Sequence, residues 1–162
     1  MSANNGLTIA DVKGLDYDDP AWELLLDQMT LKEMENLITN AAFSTAELKS
    51  IGQAATAERD GPQGISAWIV GLQGVGYPIE IYIAQTWNPE IAEEQGHLMG
   101  SEARESGLSG MYAPGVNIHR TPYAGRNFEY YAEDGYLAGK MAAAFVCAAG
   151  EEGVFMSIKP LA

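Results

Sequence analysis

The sequence predicts an α/β fold in which about four parallel strands alternate with crossover helices, preceded by N-terminal helices. Two observations predict it. Short runs of β-forming residues end near Asp60, Ala84, Val116 and Ile158, and the stretches between them carry apolar residues at helical intervals. Strand–helix alternation of this kind builds parallel βαβ units, and four such strands with their crossovers amount to about half of an eight-stranded barrel. A chain of 162 residues is one ordinary domain, long enough to bury on the order of 70% of its extended surface.

Taken in order, residues 1–18 are mixed and polar and read as a linker or tether, and 19–162 read as the folded domain. Asp19-Pro20 supplies an N-cap and a first-turn proline for a helix carrying Trp22, Leu25, Leu26 and Met29. Thr30-Leu31-Lys32-Glu33 is a capping-box pattern that opens a second helix with Met34, Leu37 and Ile38 as its apolar stripe. Ala54 to Asp60 is a short strand that ends in the turn residues Gly61-Pro62. The stretch from Ser66 to Gly76 is glycine-rich without the spacing of a dinucleotide loop, and reads as a flexible loop. Ile79 to Ala84 is a run of β-formers. Asn88-Pro89 caps a helix with Ile91, Leu98 and Met99, Met111 to Val116 is the next strand, and Asp134 caps a helix with Leu137, Met141 and Phe145. Val154 to Ile158 closes as a strand.

Nine basic against 22 acidic residues leave a formal charge of −13, which disfavours nucleic acid and anionic membrane partners. Acidity suits a protein acting on a neutral substrate, and equally it suits plain solubility. The single Cys147, flanked by alanines, excludes a disulfide within one chain and reads as a thiol packed like a small apolar group. The opening Met1-Ser2-Ala3-Asn4-Asn5 has no charged or apolar leader region, so the expected location is cytoplasmic.

Residues 117–136 concentrate chemistry. Arg120 and Arg126, Asn117 and Asn127, Glu129, and Tyr123, Tyr130 and Tyr131 are groups that hydrogen-bond hydroxyls and stack on pyranose faces. The plainer reading is a surface loop whose arginines pair with Glu129, Glu133 and Asp134. Gly125-Arg126-Asn127-Phe128-Glu129 followed by Glu133-Asp134, together with Asp60-Gly61-Pro62-Gln63-Gly64-Ile65, Thr86-Trp87-Asn88, Gly100-Ser101-Glu102-Ala103-Arg104, Tyr112-Ala113-Pro114 and Ser157-Ile158-Lys159, closely resembles the N-terminal domain of glycoside hydrolase family 3, the β-glucosidase family. The resemblance covers about residues 20–159.

The resemblance implies a partial (β/α)8 TIM-type barrel and retaining hydrolysis of terminal β-linked sugars, with no metal or organic cofactor. It implies that Asp60 accepts hydrogen bonds from sugar hydroxyls and that Arg126 and Lys159 donate to hydroxyl oxygens, with His119 helping to line the pocket. No catalytic residue is assigned in this chain, because the family's nucleophile and acid/base residues are expected downstream of Ala162. Glu129 is expected to position rather than to react, and the Glu129/Glu133 pair is not assigned to catalysis. The family's lysine is usually followed by histidine, where this chain has Pro160-Leu161-Ala162, and proline cannot donate a hydrogen bond. His97, four residues after Glu93, reads as a solvated or hydrogen-bonded histidine rather than a metal ligand. Of Trp68, Trp87, Tyr77 and Tyr82, Trp68 is the best placed to stack on a sugar. The expected partners are a carbohydrate substrate and the remainder of the enzyme or a second copy. The alternative is a non-catalytic carbohydrate-binding or self-associating half-barrel module.

Overall fold

The computed structural model describes residues 2–159, so Pro160, Leu161 and Ala162, where the sequence departs from the family pattern, lie outside the described residues. The chain forms two compact units that divide between Ala57 and Glu58.

In the first unit, helices α1 (Ala21–Leu26) and α2 (Leu31–Thr39) surround a core of Val12, Leu25, Met29, Leu48 and Ile51. The expected signals place both helices. Asp19 accepts a hydrogen bond from the Ala21 amide (2.8 Å), and Thr30 and Glu33 exchange hydrogen bonds with each other's backbone amides, a complete capping box. Residues 2–18 hold no helix or strand, yet Val12 is fully buried and the Ile9 amide donates to the Ile51 carbonyl (2.8 Å). The buried Gln28 side chain accepts from the Leu7 amide (3.1 Å) and donates to the Leu7 carbonyl (2.7 Å). Strand β1 (Ser44–Thr45) pairs antiparallel with Thr56 and Ala57, the opening residues of β2 (Thr56–Asp60).

The second unit is a mixed sheet with helices. After β2 come β3 (Ser66–Ala67), β4 (Leu72–Gln73), helices α3 (Glu80–Gln85) and α4 (Pro89–Glu105), β5 (Gly110–Tyr112), α5 (Gly135–Glu151) and β6 (Phe155–Met156). Strands β2, β5 and β6 run parallel, with Asp60 opposite Tyr112 and Met111 opposite Met156. The α/β alternation and the parallel pairing expected from the sequence are present. The sheet order is β4-β3-β2-β5-β6, with β3 and β4 antiparallel.

Helices α4 and α5 are the main packed pair of this unit, each set by its N-cap. Asn88 accepts from the Glu90 amide, and Asp134 accepts from the amides of Tyr136 and Leu137. Their contact relies on small residues. A Cβ on Gly96 would lie 2.4 Å from the Phe145 carbonyl oxygen, and one on Gly100 would lie 3.0 Å from the Ala149 Cα. Ala92, Met141, Ala138 and Ala142 of this pair join Ile83, Ala84 and Tyr131 in the apolar core.

Three expectations are corrected. Ile79–Ala84 is not a strand. Ile79 is extended, and the chain then turns into α3, whose buried residues Glu80, Ile83 and Ala84 recur at three and four places while Tyr82 faces solvent. Packing of that face against α5 and the 126–129 region overrides the β-preference of isoleucine and tyrosine, so three strands rather than about four run parallel. Of residues 66–76, expected as a flexible loop, 66–73 form the hairpin β3–β4, closed by a 3₁₀ turn at Trp68–Val70. Cys147 is exposed rather than packed, because α5 turns Phe145, Ala148 and Ala149 inward in its place.

Candidate functional site

Asp60 ends β2, Arg126 lies in the loop after β5, and Lys159 follows β6, so all three lie beyond the carboxyl ends of parallel strands, where α/β folds build their sites. Lys159 is pinned by backbone. Its amide donates to the Pro114 carbonyl (3.0 Å), and its carbonyl accepts from the Val116 amide (2.8 Å). The turn after Asp60 is held by glycines. Gly61 and Gly64 have φ of 155° and 130°, and a Cβ on them would meet the Gly64 oxygen at 2.0 Å and the Val75 oxygen at 2.1 Å.

These elements line an open cavity of about 430 Å³ bordered by Asp60, the turn from Gly61 to Ser66, residues 73–76 of the hairpin's exit, Arg126, Glu129 and Lys159. That volume is the size of a small-molecule site. Lys159 Nζ donates to Asp60 Oδ1, and Arg126 Nε donates to Glu129 Oε1. Glu129 is buried, and its carboxylate raises the Arg126 pKa further above the ordinary guanidinium value. The cavity therefore presents fixed cations beside a carboxylate that is still half exposed. Such groups bind vicinal hydroxyls through charge-assisted hydrogen bonds. The wall at residues 74–77 is tied back by Glu102 of α4, which accepts from the Val75 amide (2.8 Å) and the Tyr77 hydroxyl (3.2 Å). Burial, with Glu102 next to it, pushes the Tyr77 hydroxyl up to about 12.

Other predicted residues stand elsewhere. His119 does not line this cavity. Its Nε2 lies 2.9 Å from the Asn127 carbonyl oxygen and 3.0 Å from that of Tyr130, so it braces the 117–131 loop from behind, in a separate cleft with Arg120 and Glu133. Glu133 is in that cleft and exposed, whereas Glu129 faces the Asp60 cavity, so the two carboxylates do not line one site. His97 is hydrogen-bonded to Glu152 (3.1 Å), with Glu151 at 3.6 Å, and among the described residues no cluster of three or more potential metal ligands occurs. Trp68 is 79% exposed at the hairpin tip, outside the cavity lining.

One residue of consequence escaped the sequence reading. Glu80, at the start of α3, is 1% exposed, and Gln63 of the cavity wall donates its side-chain amide to Glu80 Oε2. Burial, more than the neighbouring Glu129, pushes the Glu80 carboxyl up to about 8. The signal was a lone glutamate inside the apolar run Pro78-Ile79-Glu80-Ile81-Tyr82-Ile83, which a strand reading treats as solvent-facing.

The family model described as Glycosyl hydrolase family 3 N terminal domain matches residues 28–162. A β-glucosidase from Rhizobium radiobacter is 36% identical over 139 residues, covering 83% of this chain and 17% of that protein. Beta-glucosidase A from Butyrivibrio fibrisolvens is 44% identical over 105 residues, 64% of this chain and 13% of its own length. Among solved structures, β-glucosidase 3B from Thermotoga neapolitana in complex with glucose superposes with a TM-score of 0.71 at 36% identity, covering 85% of this chain and 22% of that one. A β-glucosidase from Paenibacillus barengoltzii superposes with a TM-score of 0.79 at 27% identity over 99% of this chain and 18% of that one. The chain thus spans about 17% of the Rhizobium radiobacter relative. Among the described residues no helix is long and apolar enough to cross a membrane.

Proposed function

The chain belongs to glycosyl hydrolase family 3, as part of its N-terminal domain, and on that premise we propose that it supplies the sugar-recognition part of a β-glucosidase-type enzyme. The observation that carries the proposal is the convergence of Asp60, Arg126 and Lys159 on one cavity at the carboxyl ends of the parallel strands.

In this reading Asp60 accepts hydrogen bonds from two hydroxyls of the terminal sugar. Lys159, paired with Asp60, and Arg126, paired with Glu129, donate to hydroxyl oxygens. The pairing fixes the direction of each donor before the sugar arrives. His119 acts behind the loop, holding the carbonyls of Asn127 and Tyr130 so that Arg126 keeps its place.

Retaining hydrolysis needs two carboxyl groups about 5–5.5 Å apart, one as nucleophile and one as acid/base. In the proposal neither comes from this chain. Its role is to hold the sugar ring so that carboxylates supplied by another part of the enzyme reach the anomeric carbon. The expected substrate is a terminal β-linked glucoside or a related sugar, and the reaction needs no organic cofactor.

The test is hydrolysis of a chromogenic aryl β-glucoside by this chain alone and in combination with the downstream portion of a family relative. Turnover only in the combination is the expected result. Turnover by the chain alone overturns the assignment of the reacting carboxylates, and no turnover in either overturns the enzymatic reading.

A further inference from the structure

We propose that the buried Glu80 carboxyl is a positioning residue for the cavity, acting through Gln63 on its wall and beside Glu129, the partner of Arg126. The proposal deepens the sugar-site reading and rests on it for the identity of the ligand.

Glu80 lies behind the cavity rather than in it. Oε2 accepts from Gln63, which lines the cavity and whose own carbonyl accepts from the Tyr77 amide (2.9 Å). Oε1 is buried and has no hydrogen-bond partner among the described residues. The helix carrying Glu80 packs on the 3₁₀ turn carrying Glu129, so two carboxyl groups with low exposure share one neighbourhood, and a single guanidinium, that of Arg126, is paired with Glu129.

Two carboxylates close together and away from water do not both ionise readily. The groups facing Glu80 set its state. Glu129 and Tyr131 are the titratable groups beside it. Gln63 and the amides of Gly115 and of Glu80 itself favour its anion, and burial outweighs them. With Glu80 neutral, the Arg126–Glu129 pair has no second charge behind it. Ionising Glu80 places a second negative charge behind Glu129, competes for Arg126 and draws Gln63 inward. Both groups line the cavity, so its shape and its donor directions change together.

The test follows the Arg126 guanidinium of the full chain by carbon-detected NMR while pH is raised from about 6 to 9.5, with a parallel glucose titration at each pH. In the unmodified chain the Arg126 signal is expected to shift with a midpoint near 8, and glucose affinity is expected to fall about tenfold across the same interval. Glu80→Gln, neutral at every pH, is expected to hold both flat. Gln63→Leu removes a hydrogen bond that favours the anion and is expected to move the midpoint upward, which keeps the test informative if the first variant misfolds. An Arg126 signal that follows the same course in the unmodified chain and in the variants, or that does not titrate at all, overturns the proposal. An Arg126 signal that titrates as expected in a chain that binds no glucose upholds the coupling and overturns the sugar reading instead.

Discussion

Replacing Gly96 with alanine sets two effects of known size against each other. Within a helix the change from glycine to alanine gains about 1 kcal/mol from backbone entropy. At Gly96 the added Cβ would lie 2.4 Å from the Phe145 carbonyl oxygen, 2.9 Å from the Ala148 Cβ and 3.0 Å from the Phe145 Cα. Two of these three obstacles are backbone atoms of α5, so no side chain can rotate away and the helices must separate. Overpacking of this kind costs roughly 1–3 kcal/mol, and rigid backbone obstacles put this site at the upper end. The net expectation is a loss of about 2 kcal/mol. Gly139, on the same helix pair but with nothing within 4 Å of an added Cβ, serves as the control. Gly139→Ala keeps only the entropic gain and is expected to stabilise by about 0.5–1 kcal/mol. Urea unfolding of the two variants beside the unmodified chain reads both values. If Gly96→Ala is as stable as Gly139→Ala, the close approach of α4 and α5 is not what sets the packing of this unit.

Further outcomes follow from the charged groups. Hydrogen bonds from the Ser50 and Thr30 amides and the Thr30 hydroxyl hold the Glu33 carboxyl down at about 2, against an ordinary 4.5. Its contribution is therefore present above pH 4.5 and lost as pH falls toward 2, and acid titration of Thr30→Ala or Glu33→Gln is expected to show a smaller loss over that window than the unmodified chain. Glu80 runs the other way. With a folded value of about 8 against 4.5, its contribution is complete below pH 4.5 and lost as pH rises to about 8. At pH 7 this amounts to roughly 3 kcal/mol, so the stability of Glu80→Gln relative to the unmodified chain is expected to improve from pH 5 to pH 8 in urea melts. Asp60→Asn removes a partly exposed ion pair with Lys159, so it is expected to change stability by less than about 1 kcal/mol while weakening glucose binding at least about tenfold. A matching loss of stability would mean that Asp60 is structural.

Elements whose ends carry local chemistry were legible in the sequence. The Thr30–Glu33 box, Asn88-Pro89 and Asp134 each place a helix start through side chains that reach the first-turn amides. The motifs around Asp60, Arg126 and Lys159 named residues that line one cavity. What escaped was decided by distant neighbours. Ile79–Ala84 has strand composition, and only its packing partners make it helical. The hairpin over 66–73 depends on pairing with Asp60, which no local signal in a glycine-rich stretch reveals. His119 stands in the motif loop by sequence but turns to the carbonyls behind it, and Glu80 gains its importance from a burial that its own segment does not announce.

The most direct test of the proposed sugar-binding role of the Asp60 cavity is an amide NMR titration of the chain with glucose. Shifts confined to residues 60–66, 73–76, 126–129 and 159, and absent in Asp60→Asn, are the predicted result. Shifts clustered elsewhere, or none at saturating glucose, would contradict it.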